Sequence, residues 1–134
     1  MNRKLSQNIL HTNDYNIRRK SLLEKTYSSV DNETKLINAV ARGDLEDVKN
    51  ILAIPNLSVN AIRKPGWSAL HHACKNGNKE IVKLLLKNGA DINLRSEDKL
   101  YPLEISTLGG HFELSMFLIE NGAILQSIVN GMPI

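Results

Sequence analysis

Three stretches of this chain repeat at intervals of 34 and then 33 residues. Gly43, Gly77 and Gly110 keep that spacing, as do Leu36, Leu70 and Leu103 and the pairs Ile51-Leu52, Leu85-Leu86 and Leu118-Ile119. A period of this size leaves few folds open. Each copy is one supersecondary unit, too small to bury its own apolar face, so neighbouring copies must stack, and about three are needed for stability. Within a copy the pattern is helical. Ile81 and Leu85, like Val82 and Leu86, stand four apart on one face, with Lys83 and Lys87 on the other. Asn88-Gly89 and Asn121-Gly122 would mark hairpins in isolation. They follow helical runs, so they are read as helix stops in which glycine supplies a positive φ. The expectation is an all-α solenoid of three helix-turn-helix units joined by short extended loops, over about residues 32–64, 65–97 and 98–130.

The two ends of such a stack should differ. Asp47 and Asn50 occupy the positions of Ile81 and Leu84, which suits a first unit with one face in water. The last unit is apolar at Met116, Phe117, Ile124, Leu125, Ile128 and Val129, and Gly131-Met132-Pro133-Ile134 reads like the start of a fourth unit. A covering is expected for that face: the terminal segment, a partner, or a second copy of the chain by self-association. Charge separates the N-terminal residues from the rest. Residues 1–31 hold six of the 17 basic and three of the 14 acidic residues, so residues 32–134 are balanced at 11 of each. The net +3 therefore belongs to a basic N-terminal arm, and a neutral domain has no field with which to gather phosphates. Leu23, Tyr27 and Val30 have the spacing of a short docked helix; otherwise the arm is expected to be loose. Ser21, following Arg18-Arg19-Lys20, is a candidate phosphorylation site for a basophilic kinase, where a phosphate would cancel ~1.5–2 units of positive charge.

The best-formed unit, Gly66 to Asn93, resembles the ankyrin repeat, whose pattern runs G-x-T-P-L-H-x-A-A-x-x-G-H-x-x-[IV]-V-x-x-L-L-x-x-G-A-D-[IV]-N. Gly66, Leu70, His71, Ala73, Gly77, Val82, Leu85, Leu86 and Gly89-Ala90-Asp91-Ile92-Asn93 fit, with Ser68-Ala69 in place of Thr-Pro. The third unit keeps Pro102-Leu103 and Gly110-His111 but has Glu104 for His. The first keeps Ala39, Gly43-Asp44, Val48, Ile51-Leu52 and Val59-Asn60. The resemblance implies that the His71 imidazole makes structural hydrogen bonds within its turn, that His111 fills another structural slot, and that Cys74, at an alanine position, is a small buried hydrophobe. Within the family, the layout of Arg18-Arg19-Lys20, a spacer and then Ala41-Arg42-Gly43-Asp44-Leu45-Glu46-Asp47-Val48 is similar to short ankyrin regulatory subunits of protein phosphatase 1. Those dock the phosphatase through a basic residue followed by Val or Ile, any residue, then Phe or Trp. Lys25-Thr26-Tyr27-Ser28-Ser29-Val30 stands about where that motif falls and does not match it. Small ankyrin modulators of transcription-factor complexes, of the Notch-regulated or NF-κB-inhibitor kind, have a similar number of repeats.

Catalysis finds no foothold. The single cysteine excludes an internal disulfide and cysteine-cluster zinc sites. His11, His71, His72 and His111 have no metal-ligand spacing, and no nucleophile elbow, phosphate-cradling glycine loop or His-Glu-x-x-His occurs. No apolar run reaches the ~20 residues of a membrane span, and residues 1–8 lack the apolar core of a signal peptide. A non-enzyme without cofactor, metal or small-molecule substrate is expected, in the cytoplasm or nucleus.

What remains is recognition of another protein. A stack of such units offers a concave face made of loop tips and the outer sides of the first helices. The variable first-helix positions are Asn38, His72 and Ile105, then Ala41, Lys75 and Leu108, then Arg42, Asn76 and Gly109. The loop tips add Arg63, Lys64, Trp67, Arg95, Glu97, Leu100 and Tyr101. Trp, Tyr and Arg most often carry interface energy. The expected partner-binding residues are therefore Arg63, Trp67, His72, Lys75, Arg95, Leu100, Tyr101, Ile105 and Leu108, around a Trp67–Leu100–Tyr101 ridge. An adaptor or regulatory subunit, of a phosphatase in its most concrete form, is the leading expectation. A modulator of a transcription-factor complex is the alternative, and nucleic-acid binding through the basic arm ranks behind both.

Overall fold

The computed structural model describes residues 30–125, which form three helical hairpins. The helices are α1 (Asn32–Arg42), α2 (Leu45–Leu52), α3 (Ala69–Asn76), α4 (Lys79–Lys87), α5 (Pro102–Leu108) and α6 (Phe112–Glu120). The first helices lie side by side, α1 against α3 and α3 against α5, while α2 packs on α4 behind them. The repeat register read from the sequence is the register of the stack. Leu36, Leu70 and Leu103 are each about 1% exposed, and Val48, Val82, Leu85 and Leu118 are fully buried. Ala39 and Ala73 carry only methyl groups where first helices meet, which permits close approach.

The second helices of the first two repeats start at a side-chain acceptor. Asp44 and Asn78 accept the backbone N–H groups of Asp47 and Ile81, both at 3.1 Å. Caps of this kind contribute ~1 kcal/mol each. The helices α4 and α6 stop at Lys87 and Glu120, and Gly89 and Gly122 follow at φ 94° and 99°, so both Asn-Gly pairs end helices. The one isolated bridge among the described residues, Arg63 to Trp67, marks a loop tip over 63–67. The tip over 96–100 is closed by the Ser96 N–H on the Leu100 carbonyl at 2.9 Å, and it hangs from its predecessor by the Glu97 N–H on the Gly66 carbonyl at 2.9 Å.

Polar side chains tie each repeat to the next. Asn60 donates to the Gly89 carbonyl at 3.1 Å and accepts the Asp91 N–H at 2.7 Å. Asn93 repeats the clamp one unit on, with the Gly122 carbonyl at 3.1 Å and the Ile124 N–H at 2.8 Å. Asn76 donates to the Ala41 carbonyl at 3.1 Å, and His111 Nε2 donates to the Lys75 carbonyl at 2.9 Å, so the C-terminal ends of α1 and α3 are each held by the following repeat. In the third repeat Ser106 and Ser115 stand at positions held by Ala73 and Val82. Their hydroxyls bond each other at 2.7 Å, and Ser106 also donates to the Leu103 carbonyl at 3.0 Å, so neither buried hydroxyl is left unpaired.

The expected exposed face of α5 needs one correction. Ile105 is 5% exposed and belongs to the core. The same register position is exposed as Asn38 on α1 and half-buried as His72 on α3. With α5 packed against both α3 and α6, a branched aliphatic side chain there is drawn inward. Leu23 and Tyr27 of the expected docked helix, Ser21, Ile128 and Val129 lie outside the described residues.

Gly77 and Gly110 turn the second and third hairpins at φ 71° and 76°. A Cβ on Gly77 would run into the His111 ring, whereas one on Gly110 would meet nothing within 4 Å. Gly110→Ala is expected to cost about 1 kcal/mol, the left-handed backbone penalty alone. Gly77→Ala is expected to cost about 2 kcal/mol more by also dislodging the His111 contact on Lys75. Urea unfolding of the two variants checks the difference.

Candidate partner-binding face

The face is organised around His71. Its Nδ1 accepts the Ser68 N–H at 3.1 Å and lies 2.8 Å from the Ser68 hydroxyl. Its Nε2 stands 2.8 Å from the Leu94 carbonyl and 3.2 Å from the Leu100 carbonyl. Both carbonyls can only accept, so the proton sits on Nε2 and the ring is the neutral Nε2–H tautomer. One side chain thereby caps α3 and suspends the next loop tip. Burial lowers its pKa below the ordinary 6.5, outweighing the two carbonyls and the Asp98 charge that act to raise it. In the third repeat Glu104 takes over the capping half of this role by accepting the Tyr101 N–H at 2.9 Å.

Around that anchor the structure brings together Trp67, His72 and Lys75. The Trp67 ring meets His72 edge-on, with centroids 5.2 Å apart, and leans on His71 at 6.1 Å. Lys75 Nζ lies 5.7 Å from the Trp67 ring centre, within cation–π range. The indole N–H donates to Asp98 Oδ1 at 3.3 Å, and the Ser96 hydroxyl donates to the same oxygen. Those donors, the Ser96 hydroxyl foremost, hold the Asp98 carboxyl below its ordinary range. Trp67 thus spans two tips, and Asp98 is the residue that sequence reasoning missed; a Ser-x-Asp turn facing a tryptophan one repeat earlier was the available signal. His72 is half-buried, and its Nε2 has no hydrogen-bond partner. Burial, then the Lys75 charge, lowers its pKa.

Arg95 and Tyr101 form a separate pair, with the guanidinium carbon 5.2 Å from the ring centre. Among the described residues no ring contact joins Trp67 to Tyr101, so the expected ridge consists of two cation-over-aromatic stations. Leu100 is half-buried between its backbone bonds to Ser96 and His71. Arg63 is also half-buried and turns back to the scaffold, 3.9 Å from Glu33 and 3.0 Å from the Ile62 carbonyl. Leu108, by contrast, is 79% exposed at the end of α5.

Chemistry elsewhere is quiet. Burial pushes the Cys74 thiol up to about 12, far from the thiolate a nucleophile needs. Among the described residues no three His, Cys, Asp or Glu side chains converge as a metal site, and no helix is long and apolar enough to cross a membrane. A groove between α2 and α4 is lined by Leu45, Lys49, Glu80, Lys83, Leu84 and Lys87. It lies on the second-helix layer, away from the tips.

A stack of helical hairpins joined by loop tips is the architecture of a repeat scaffold for binding. The chain belongs to the ankyrin-repeat family: residues 9–128 match its description, Ankyrin repeats (3 copies). It is similar to protein phosphatase 1 regulatory subunit 27 of Mus musculus, 36% identical over 106 residues that make up 79% of this chain and 69% of that one. It is also similar to the Notch-regulated ankyrin repeat-containing protein of Homo sapiens, 36% identical over 92 residues, 66% of this chain and 81% of that one. A third relative, the human SMC5-SMC6 complex localization factor protein 1, is 30% identical over 91 residues that form 9% of its length.

The two lowered imidazoles give stability a defined pH dependence. Unfolded histidines take up protons near their ordinary value of 6.5, whereas folded His71 and His72 do so only at lower pH. Below that value the unfolded chain binds more protons, so stability present at neutral pH is lost as pH falls. Urea midpoints are expected to drop between pH about 7.5 and about 5.5, and less steeply in His72→Gln.

Proposed function

We propose that this chain is a non-catalytic protein-binding module, an adaptor or regulatory subunit that presents its loop tips and first helices to a partner. The observation that carries this reading is the grouping of Trp67 on one tip with His72 and Lys75 on the helix it leads into, and of Arg95 with Tyr101 on either side of the next tip, half-buried or exposed, on a scaffold whose own needs are met by buried leucines and valines. Regulation of a protein phosphatase is its most concrete form, supported by the relative named as a phosphatase regulatory subunit. Since Lys25-Thr26-Tyr27-Ser28-Ser29-Val30 lacks the Val-x-Phe docking element, such binding would rest on the repeats. Modulation of a transcription-factor complex is the alternative, supported by the Notch-regulated relative. The test is capture from cell lysate with wild-type protein beside Trp67→Ala/Tyr101→Ala, both checked for native helical content. Partners retained by wild type should be lost from the variant, a phosphatase catalytic subunit among them under the regulatory form. Equal retention by both baits overturns the concave face as the site.

A second contact is favoured by the far end of the stack. Phe112, Met116 and Ile119, spaced for one face of α6, are 68%, 62% and 41% exposed. The opposite end offers Asp47, half-buried, and Asn50, exposed, both polar, so head-to-tail stacking would set apolar on polar. We propose instead that two copies meet through their α6 faces about a twofold axis. Sedimentation should show a dimer at tens of micromolar, and Phe112→Glu/Met116→Glu should be a monomer with unchanged helical content. A wild-type monomer at that concentration overturns the dimer.

A further inference from the structure

The repeats are neutral overall, yet the tips are not. Lys64, Lys75, Arg95 and Lys99 are all exposed around Trp67 and Tyr101. The three acids of that region are Glu97 and Asp98, both exposed, and Glu104, half-buried and accepting the Tyr101 N–H. Asp98 is occupied by the Trp67 indole and the Ser96 hydroxyl, and the Glu97 side chain stands against Gly66. Other acids lie away from the tips: Glu46 and Asp47 on α2, Glu80 on α4, and Glu113 and Glu120 on α6. The four cations around the rings thus outnumber the three carboxylates there, and among the described residues none of the four stands in a salt bridge.

Those cations have a spacing. Trp67 precedes α3 by two residues and Tyr101 is the N-cap of α5, so each ring sits at the head of a first helix. Helices packed side by side, as α3 and α5 are, lie ~8–10 Å apart. A peptide in the polyproline II form advances ~3.1 Å per residue with three residues per turn, so residues three apart share a face and span that distance. A cation held over a ring keeps its outer side free for a carboxylate, and the ring takes the apolar stems between.

We propose that this face binds an extended acidic peptide segment whose carboxylates, three residues apart, pair with Lys75 over Trp67 and with Arg95 over Tyr101. The proposal rests on the concave-face reading above and gives its partner a chemistry. The segment lies across the tips with one carboxylate per repeat, and the apolar stems of those acidic side chains lie against the rings. His72, whose Nε2 lacks a partner beside Trp67, lies at the same station as Lys75.

Trp67 is the only tryptophan in the chain, so its fluorescence reports this face directly. The probe is a fluorescein-labelled peptide of Glu-Val-Thr repeated four times, read by anisotropy and by Trp67 emission at about 50 mM and about 300 mM salt. Comparison probes are its Gln-Val-Thr counterpart, a permutation with the glutamates in one block, and a single-stranded oligonucleotide of equal length. The spaced glutamate peptide should bind with a Trp67 response, weaken with salt, and lose roughly 3- to 10-fold in Lys75→Gln and again in Arg95→Gln. The glutamine and block peptides should bind at least several-fold more weakly. Equal affinity for the glutamine peptide, indifference to both substitutions, or tighter binding of the oligonucleotide each overturn the acidic-peptide assignment. If the glutamine peptide binds equally and Trp67→Ala/Tyr101→Ala abolishes it, the assignment fails while the concave face stands. If that double variant binds every probe as wild type does and retains the same lysate partners, both fall.

Discussion

A neutral imidazole with an acceptor nitrogen on one side and a donor on the other joins the head of α3 to the loop that leads into the next repeat. His71 caps α3 through Ser68 and, with its Nε2–H, holds the carbonyls of Leu94 and Leu100, more than twenty residues further along the chain. The second loop tip has no ladder of its own to fix it. Its position is set by this ring, by the Glu97 bond to Gly66 and by the turn it closes on itself. Trp67, leaning on His71 and bonded to Asp98, inherits its orientation from the same ring. A charged His71 would have to give up the Ser68 N–H, and the tip and the tryptophan would lose their common anchor together.

Burial of leucine and valine drives the stacking, but it does not choose the register. That choice falls to polar groups with fixed geometry. Asn60 and Asn93 each offer both halves of an amide to the backbone of the following repeat, a pairing that slips by no residue without losing both bonds. Asn76 and His111 each donate to a carbonyl at the C-terminal end of a first helix. The third repeat departs from the pattern, yet each departure is paired. Glu104 replaces the imidazole as an acceptor, and the two serines satisfy one another where methyl groups would otherwise meet.

The stack was legible because its determinants are periodic. Spacings of 33 and 34 residues, the glycine turns and the buried leucine rows recur in one dimension and need no tertiary knowledge. The candidate face was legible only in part. Trp67, His72 and Lys75 share a station because two lie on one helix and the third just before it, which sequence distance already implies. Asp98 was not foreseen, since its contact with Trp67 crosses 31 residues and depends on how one tip hangs from another. Ile105 was misplaced because helix periodicity places a residue on a face without saying whether a neighbour covers it. Arg63 is withdrawn toward Glu33 for the same reason.

Cys74 lies in the core that the repeats share, fully buried and with its thiol pushed up to about 12. A sulfur so placed is chemically silent for as long as the repeats stay together. In a linear scaffold, where each unit touches only its neighbours, opening is local and graded. The single thiol therefore acts as an internal clock: the rate at which a modifying reagent reaches it measures how often this part of the stack parts, without reference to either end. When opening and closing are fast, that rate tracks the population of the parted state, and a ligand clamped across adjacent repeats would slow the clock.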